Sequence, residues 1–133
     1  MVLPGIQALF GFQLIAVFNQ GFSEKLSPLQ QKLHFFAILS TVVSIALVMA
    51  PAAIHRLVDP LSVSERFVRI STRLLLCSLI PLAVSICLEL YLIGDLIMNS
   101  SVVGVVASVM ALGLFLLLWV ALPLMEQRRH NRR

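Results

Sequence analysis

Four apolar runs divided by short polar interruptions account for nearly the whole chain. They predict helices over about residues 3–19, 28–57, 63–92 and 101–125. The second run is the most sharply framed. Ser27, Pro28 and Gln30 open it: serine is a preferred N-cap, proline suits the first turn where its missing N–H costs nothing, and Gln30 completes a capping box. Residues 33–53 then carry one ionisable group, His34, before His55 and Arg56 close the run. As a helix these 21 residues span about 31 Å, at roughly 1.5 Å per residue, close to a bilayer's hydrocarbon thickness.

Within that helix His34, Ala37, Thr41, Ser44, Val48, Pro51 and His55 recur at alternating steps of three and four, so they share one face. That face is smaller and more polar than the Phe35, Ile38, Leu39, Val42 and Ile45 around it, which is the character of a helix–helix contact in lipid. Pro51 removes a backbone hydrogen bond and is a point where the helix can kink.

The first run stops at Asn19-Gln20-Gly21, where Gly21 is suited to the left-handed C′ position. Its strongly polar members, Gln7 and Gln13, are expected to make interhelical hydrogen bonds, and Gly5, Ala8 and Gly11 allow another helix close. The third run opens on a second capping box, Ser62-Val63-Ser64-Glu65, after Asp59-Pro60. Arg66, Arg69 and Arg73 form a basic stripe on its first turns, and Ser78, Pro81 and Ser85 share a face further on, with Glu89 beyond. Gly94 and Asp95 are expected to begin the next connection, and Asn99, Ser100 and Ser101 offer N-caps for the fourth run. Residues 102–124 carry no charge, and Gly104-x-x-x-Ser108 is a small-xxx-small element for packing on a neighbouring helix.

Composition strengthens the membrane reading. Of 133 residues, 59% are hydrophobic and 12% charged, about half the charged share of a soluble domain, and the mean hydropathy is +1.00. The expected fold is an all-α integral membrane bundle of four transmembrane helices with short loops, a single transmembrane domain over residues 1–133. The net charge of +4 does not point to nucleic acid, because the basic residues sit at predicted helix ends. Four spans place both termini on one side with Arg56, Arg66, Arg69, Arg73, Arg128, Arg129, Arg132 and Arg133, against Lys25 and Lys32 on the other. Eight against two predicts cytoplasmic termini. Arg56, Arg66, Arg69 and Arg73 would meet anionic lipid headgroups or a partner at that face. Cys77 and Cys87, ten residues apart on one helix, cannot pair with each other there and read as small buried hydrophobes.

Candidate chemistry is sparse. His34 and Glu89 both fall near the outer rim and would meet if helices two and three form a hairpin; together with Thr41, Ser44 and Ser85 they outline a possible polar or proton-sensing path. Three histidines at separate depths do not converge on a metal, and no nucleophile–base set or phosphate-binding loop is present. Neither catalysis nor a cofactor is expected.

The segments Leu3-Pro4-Gly5-Ile6-Gln7-Ala8-Leu9-Phe10-Gly11-Phe12-Gln13-Leu14 and Ala50-Pro51-Ala52-Ala53-Ile54-His55-Arg56 are similar to a bacterial family of small four-helix membrane proteins classed as a domain of unknown function. The resemblance implies the fold, a place in the bacterial inner membrane, and a family pattern that includes Gln7, Gln13, Pro51, His55 and Arg56. It also implies a polar segment before the first helix, and hence an upstream piece missing from this chain. Two functions are expected from these features. The first is an accessory or self-associating membrane subunit, joined to its own copies or to another membrane protein through Gly104/Ser108 and Ala37/Ser44. The second is a homo-oligomeric channel or small-solute carrier lined by Thr41, Ser44 and Ser85 and gated by His34 or Glu89.

Overall fold

A computed structural model describes residues 3–58 and 64–130, and the described chain is all α. Helix α1 covers Leu3–Phe18, a single turn α2 covers Phe22–Lys25, α3 runs Pro28–Val58, α4 Glu65–Met98 and α5 Ser101–Leu116; a π-helical turn at Leu117–Ala121 then leads into α6, Leu122–His130. Three stretches are long and apolar enough to cross a membrane: Pro28–Leu57, Glu65–Met98 and Ser101–Met125. Helix α1, with 16 residues and about 24 Å at roughly 1.5 Å per residue, is shorter than a span. Four spanning helices are expected from the sequence; among the described residues three have the length and apolarity for it.

Local chemistry explains the helix limits. At the start of α3 the capping box closes in both directions: Gln30 N–H donates to Ser27 Oγ at 3.3 Å, and Ser27 N–H donates to Gln30 Oε1 at 2.7 Å. Helix α4 begins at Glu65, two residues later than the sequence suggests. Its cap is Ser64, whose Oγ accepts the Phe67 N–H at 3.1 Å. Asp59, Pro60, Ser62 and Val63 lie outside the described residues.

Gly21 is not the left-handed terminator the sequence suggests. It has φ −83 and ψ −1, because the chain leaves α1 through right-handed turns: Asn19 Oδ1 accepts the Gly21 N–H, and the Asn19 carbonyl accepts the Phe22 N–H. The left-handed residue falls elsewhere, at Asn99, with φ 49, one residue past the end of α4.

The chain divides into two compact units, Met1–Ser85 and Ile86–Arg133. In the first unit α1 packs against α3, with Ile6 and Gln13 as its buried residues. The buried face of α3 carries His34, Ala37, Thr41 and Ser44, and the buried face of α4 carries Ser78, Leu82 and Ser85. Helix α3 passes through Pro51 without a break. Cys77 is exposed rather than buried, since it sits one residue, or about 100°, off the Ser78–Leu82–Ser85 stripe; Cys87 is half-buried.

In the second unit α4 continues through Gly94 and Asp95 to Met98, so these residues are helical and do not begin a connection. The reason is the close approach of α5. A Cβ on Gly94 would lie 2.7 Å from Gly104 Cα, and one on Gly104 would lie 2.5 Å from the Tyr91 carbonyl oxygen. Two glycines facing each other let two backbones meet where any side chain would hold them apart.

The helix after α5 also extends past the expected limit near 125, to His130. Pro123 has no N–H, and its ring would press on the Trp119 carbonyl in a regular helix. The wider π turn relieves that clash, with the Leu122 N–H reaching the Leu117 carbonyl five residues back. Phe115 and Trp119 stack across this turn with ring centroids 4.6 Å apart.

Candidate functional site

Six of the polar side chains buried in the first unit line a seam between α1, α3 and α4, while Ser40 turns back to the Phe36 carbonyl of its own helix. Thr41, Ser44 and Ser85 are fully buried, and Gln13, His34 and Ser78 are each at most 4% exposed. Each sits there by periodicity: Thr41 and Ser44 follow His34 on one face of α3, and Ser78 and Ser85 stand two turns apart on α4.

The bonds run in series. Thr41 Oγ1 donates to the Ala37 carbonyl at 3.2 Å. The Thr41 and Ser85 hydroxyls also meet at 2.7 Å, a bond that either can donate. Ser85 in turn accepts from Gln13 Nε2 at 2.9 Å. The chain therefore runs amide to hydroxyl to hydroxyl and ends on a helix carbonyl, tying α1 to α4 and α4 to α3.

Two further bonds extend the seam. His34 Nε2 donates to the Gln13 carbonyl at 3.1 Å, which places a hydrogen on that nitrogen, and its ring packs on Phe22 with centroids 5.3 Å apart. One turn beyond Thr41, Ser44 Oγ donates to the Ser78 carbonyl at 3.0 Å while Ser78 Oγ donates to the Leu75 carbonyl. The hydroxyls are thus matched locally, as groups removed from water require.

The sequence profile of a family of unknown function, DUF6328, matches residues 1–123. The chain belongs to that family. No curated protein and no solved structure matches it. The matched span takes in the seam, the Gly94–Gly104 contact and the π turn up to Pro123.

In this DUF6328 chain several of the residues singled out from sequence come together. Gln13, His34, Thr41, Ser44 and Ser85 come together in the seam. Glu89 lies half-buried on α4 in the second unit. Gln7 is exposed on α1, whereas Gln13 is buried. Gly104 and Ser108 face α4: Ser108 Oγ donates to the Cys87 carbonyl at 2.7 Å and shares that hydrogen with the Gly104 carbonyl at 3.0 Å. The faces expected to join separate copies, Gly104/Ser108 and Ala37/Ser44, are thus used inside the chain. Arg56, Arg66, Arg69 and Arg73 are all exposed, at the end of α3 and the start of α4, which the His55–Phe67 ring contact of 5.3 Å holds together.

Two participants leave little trace in the sequence. Phe22, which reads as part of a connection, covers His34; its aromatic character beside a turn is a weak signal. Gly94 reads as a loop residue, yet Gly94 and Gly104 stand five residues either side of Asn99, the spacing of two positions that meet across a tight helical turn. Among the described residues no group of three His, Cys, Asp or Glu side chains comes together.

Proposed function

We propose that the protein acts by association within the bacterial inner membrane, as a self-associating or accessory subunit with no chemistry of its own. The observation that carries this is the exposed face of α1. Gln7, Ala8 and Ile15 are exposed there, Gly11 is half-buried, and nothing lies within 4 Å of where Cβ atoms on Gly5 or Gly11 would be. A glutamine beside small residues is ill-suited to lipid tails and well suited to a second helix, which could approach closely and bond the amide.

The seam supports the same reading. Bonds from Gln13 to Ser85, between Ser85 and Thr41, and from Ser44 to the Ser78 carbonyl each join two helices, which is what a structural seam requires. The arginine cluster supports a cytoplasmic location for the α3–α4 ends, and cytoplasmic termini follow if α1 also crosses.

The test is native mass spectrometry of the protein released from its own membrane. A defined oligomer or a complex with another membrane protein is expected, and Gln7→Leu and Gly11→Leu should each reduce it at least about fivefold. A monomer in both wild type and variants would overturn the proposal. Proton flux in liposomes that Ser85→Ala abolishes would replace it with the channel reading.

A further inference from the structure

Two contacts fix the register of α4 against α3 at the arginine-rich end. The rings of His55 and Phe67 lie 5.3 Å apart, and Ser44 Oγ donates to the Ser78 carbonyl at 3.0 Å. Eleven residues separate 44 from 55 and eleven separate 67 from 78, so the two helices run in step between these points. Arg69 therefore stands level with Ala53, the last residue of the apolar run 33–53, and Arg73 stands level with Met49. Four residues is about 6 Å, at roughly 1.5 Å per residue. Arg73 thus leaves the backbone that far inside a run matched to the hydrocarbon thickness.

The neighbours of Arg73 agree with that depth. Arg73 is exposed, and so are Ile70 and Leu76, three residues to either side, and Cys77. A cation ringed by uncovered apolar side chains is set among lipid chains rather than in water.

We propose that Arg69 and Arg73 together hold the phosphate of one anionic phospholipid, drawn inward from the headgroup layer on the lipid-facing side of α4. Helical side chains lean toward the N-terminus of their own helix, and α4 begins at this rim, so Arg73 reaches up toward Arg69 one turn away. Two guanidiniums meeting at the edge of the hydrocarbon repel each other, and an anion between them removes that repulsion. The chain's own acids do not fill this role: among the described residues neither arginine takes part in an ion pair, and Glu65 lies a further turn out and is exposed. Phosphate accepts paired bonds from a guanidinium, and it is the anion that a bilayer carries at this boundary. A soluble anion would have to enter the lipid layer to meet Arg73. The inference rests on α3 and α4 crossing a bilayer and is independent of the association proposed above.

Native mass spectrometry of the whole protein, with added phosphatidylglycerol or phosphatidylcholine of identical chains, tests this. One phosphatidylglycerol is expected to stay bound at collision energies that strip phosphatidylcholine, whose choline cation opposes the two arginines. Arg69→Gln and Arg73→Gln should each lower its retention at least about tenfold. Both positions are exposed, so helicity by circular dichroism should not change. Arg56→Gln removes the same charge at the same end, but from α3, and should change retention by less than about twofold. Equal retention of the two lipids overturns the proposal. An Arg56→Gln effect as large as that of Arg73→Gln also overturns it, because it shows diffuse attraction in place of a site. Displacement of the lipid by excess inorganic phosphate does so too, because it shows a site open to water. Gly11→Leu separates the two proposals: it should reduce association and leave phosphatidylglycerol retention alone.

Discussion

The two units of this protein hold their helices together by different means. In Met1–Ser85 the contacts between α1, α3 and α4 run through buried polar side chains, with Gln13, Thr41 and Ser85 bonded in series and Ser44 reaching the Ser78 carbonyl. In Ile86–Arg133 the contact between α4 and α5 is made by backbone meeting backbone at Gly94 and Gly104, with the hydroxyl of Ser108 alongside and that of Ser101 donating to Asp95 Oδ1 at the exposed end. Helices in a bilayer gain little from burying apolar surface against one another, since lipid tails are equally apolar. Close approach and hydrogen bonding remain; buried hydrogen bonds dominate the contacts of the first unit and close approach those of the second. Van der Waals contact between bare backbones tolerates no added atom. A seam of hydroxyls instead tolerates small changes in volume but not the loss of a donor.

The largest expected effect tests the steric side of that contrast. Gly104→Ala places a methyl 2.5 Å from the Tyr91 carbonyl oxygen, which is backbone and cannot swing aside. The variant should lose about 1–3 kcal/mol, the usual cost of overpacking. The protein has one tryptophan, Trp119, which belongs to this unit, so its fluorescence during SDS titration reads the loss directly. An unchanged midpoint would mean that the helices do not meet at this glycine.

Next in size is Ser85→Ala. It takes away both the acceptor for Gln13 Nε2 and the hydroxyl bonded to Thr41, leaving two buried groups short of a bond, at a cost of about 1–2 kcal/mol. A double-mutant cycle with Thr41→Ala sharpens the point. If the series is real, the coupling between the two hydroxyls should be near 0.6 kcal/mol and at most about 1.7 kcal/mol, the range seen for hydrogen bonds between membrane helices. Hydrogen exchange in α3, followed by mass spectrometry, is the suitable probe because it reports the first unit alone. A coupling of zero would reduce the seam to independent side chains that happen to be buried.

Much of this is legible in the sequence, for identifiable reasons. The face His34–Ala37–Thr41–Ser44 can be read because a 3.6-residue period leaves a mark on the order of residues, and those four are the buried ones of α3's polar stripe. Ser27 and Gln30 can be read because a capping box depends on two residues three apart. What escapes depends on partners far along the chain or on geometry with no composition of its own. Gly94 looks like a helix terminator until α5 is beside it, and Gly21 looks like a left-handed cap until Asn19 binds its N–H. Cys77 belongs inside by its chemistry and lies outside by its angle. The π turn is invisible because Pro123 argues for an end to the helix, while the wider turn offers another way to remove the same clash.

The smallest effect, at Ser108, decides how clean the contrast between the units is. Its hydroxyl donates to the Cys87 carbonyl on α4 and to the Gly104 carbonyl one turn back on its own helix. Removing it leaves two carbonyls that already serve as acceptors in helical backbones, so no unpaired donor is created, in contrast to Ser85→Ala. Ser108→Ala should therefore cost only about 0.6 kcal/mol, the average for an interhelical bond in a membrane protein. Trp119 fluorescence during SDS titration measures it on the same scale as Gly104→Ala. A ratio of several to one in favour of the glycine makes backbone approach the main source of helix–helix stability in the second unit. Equal costs would show the hydroxyl sharing the burden, and the two units would then differ in degree rather than in kind.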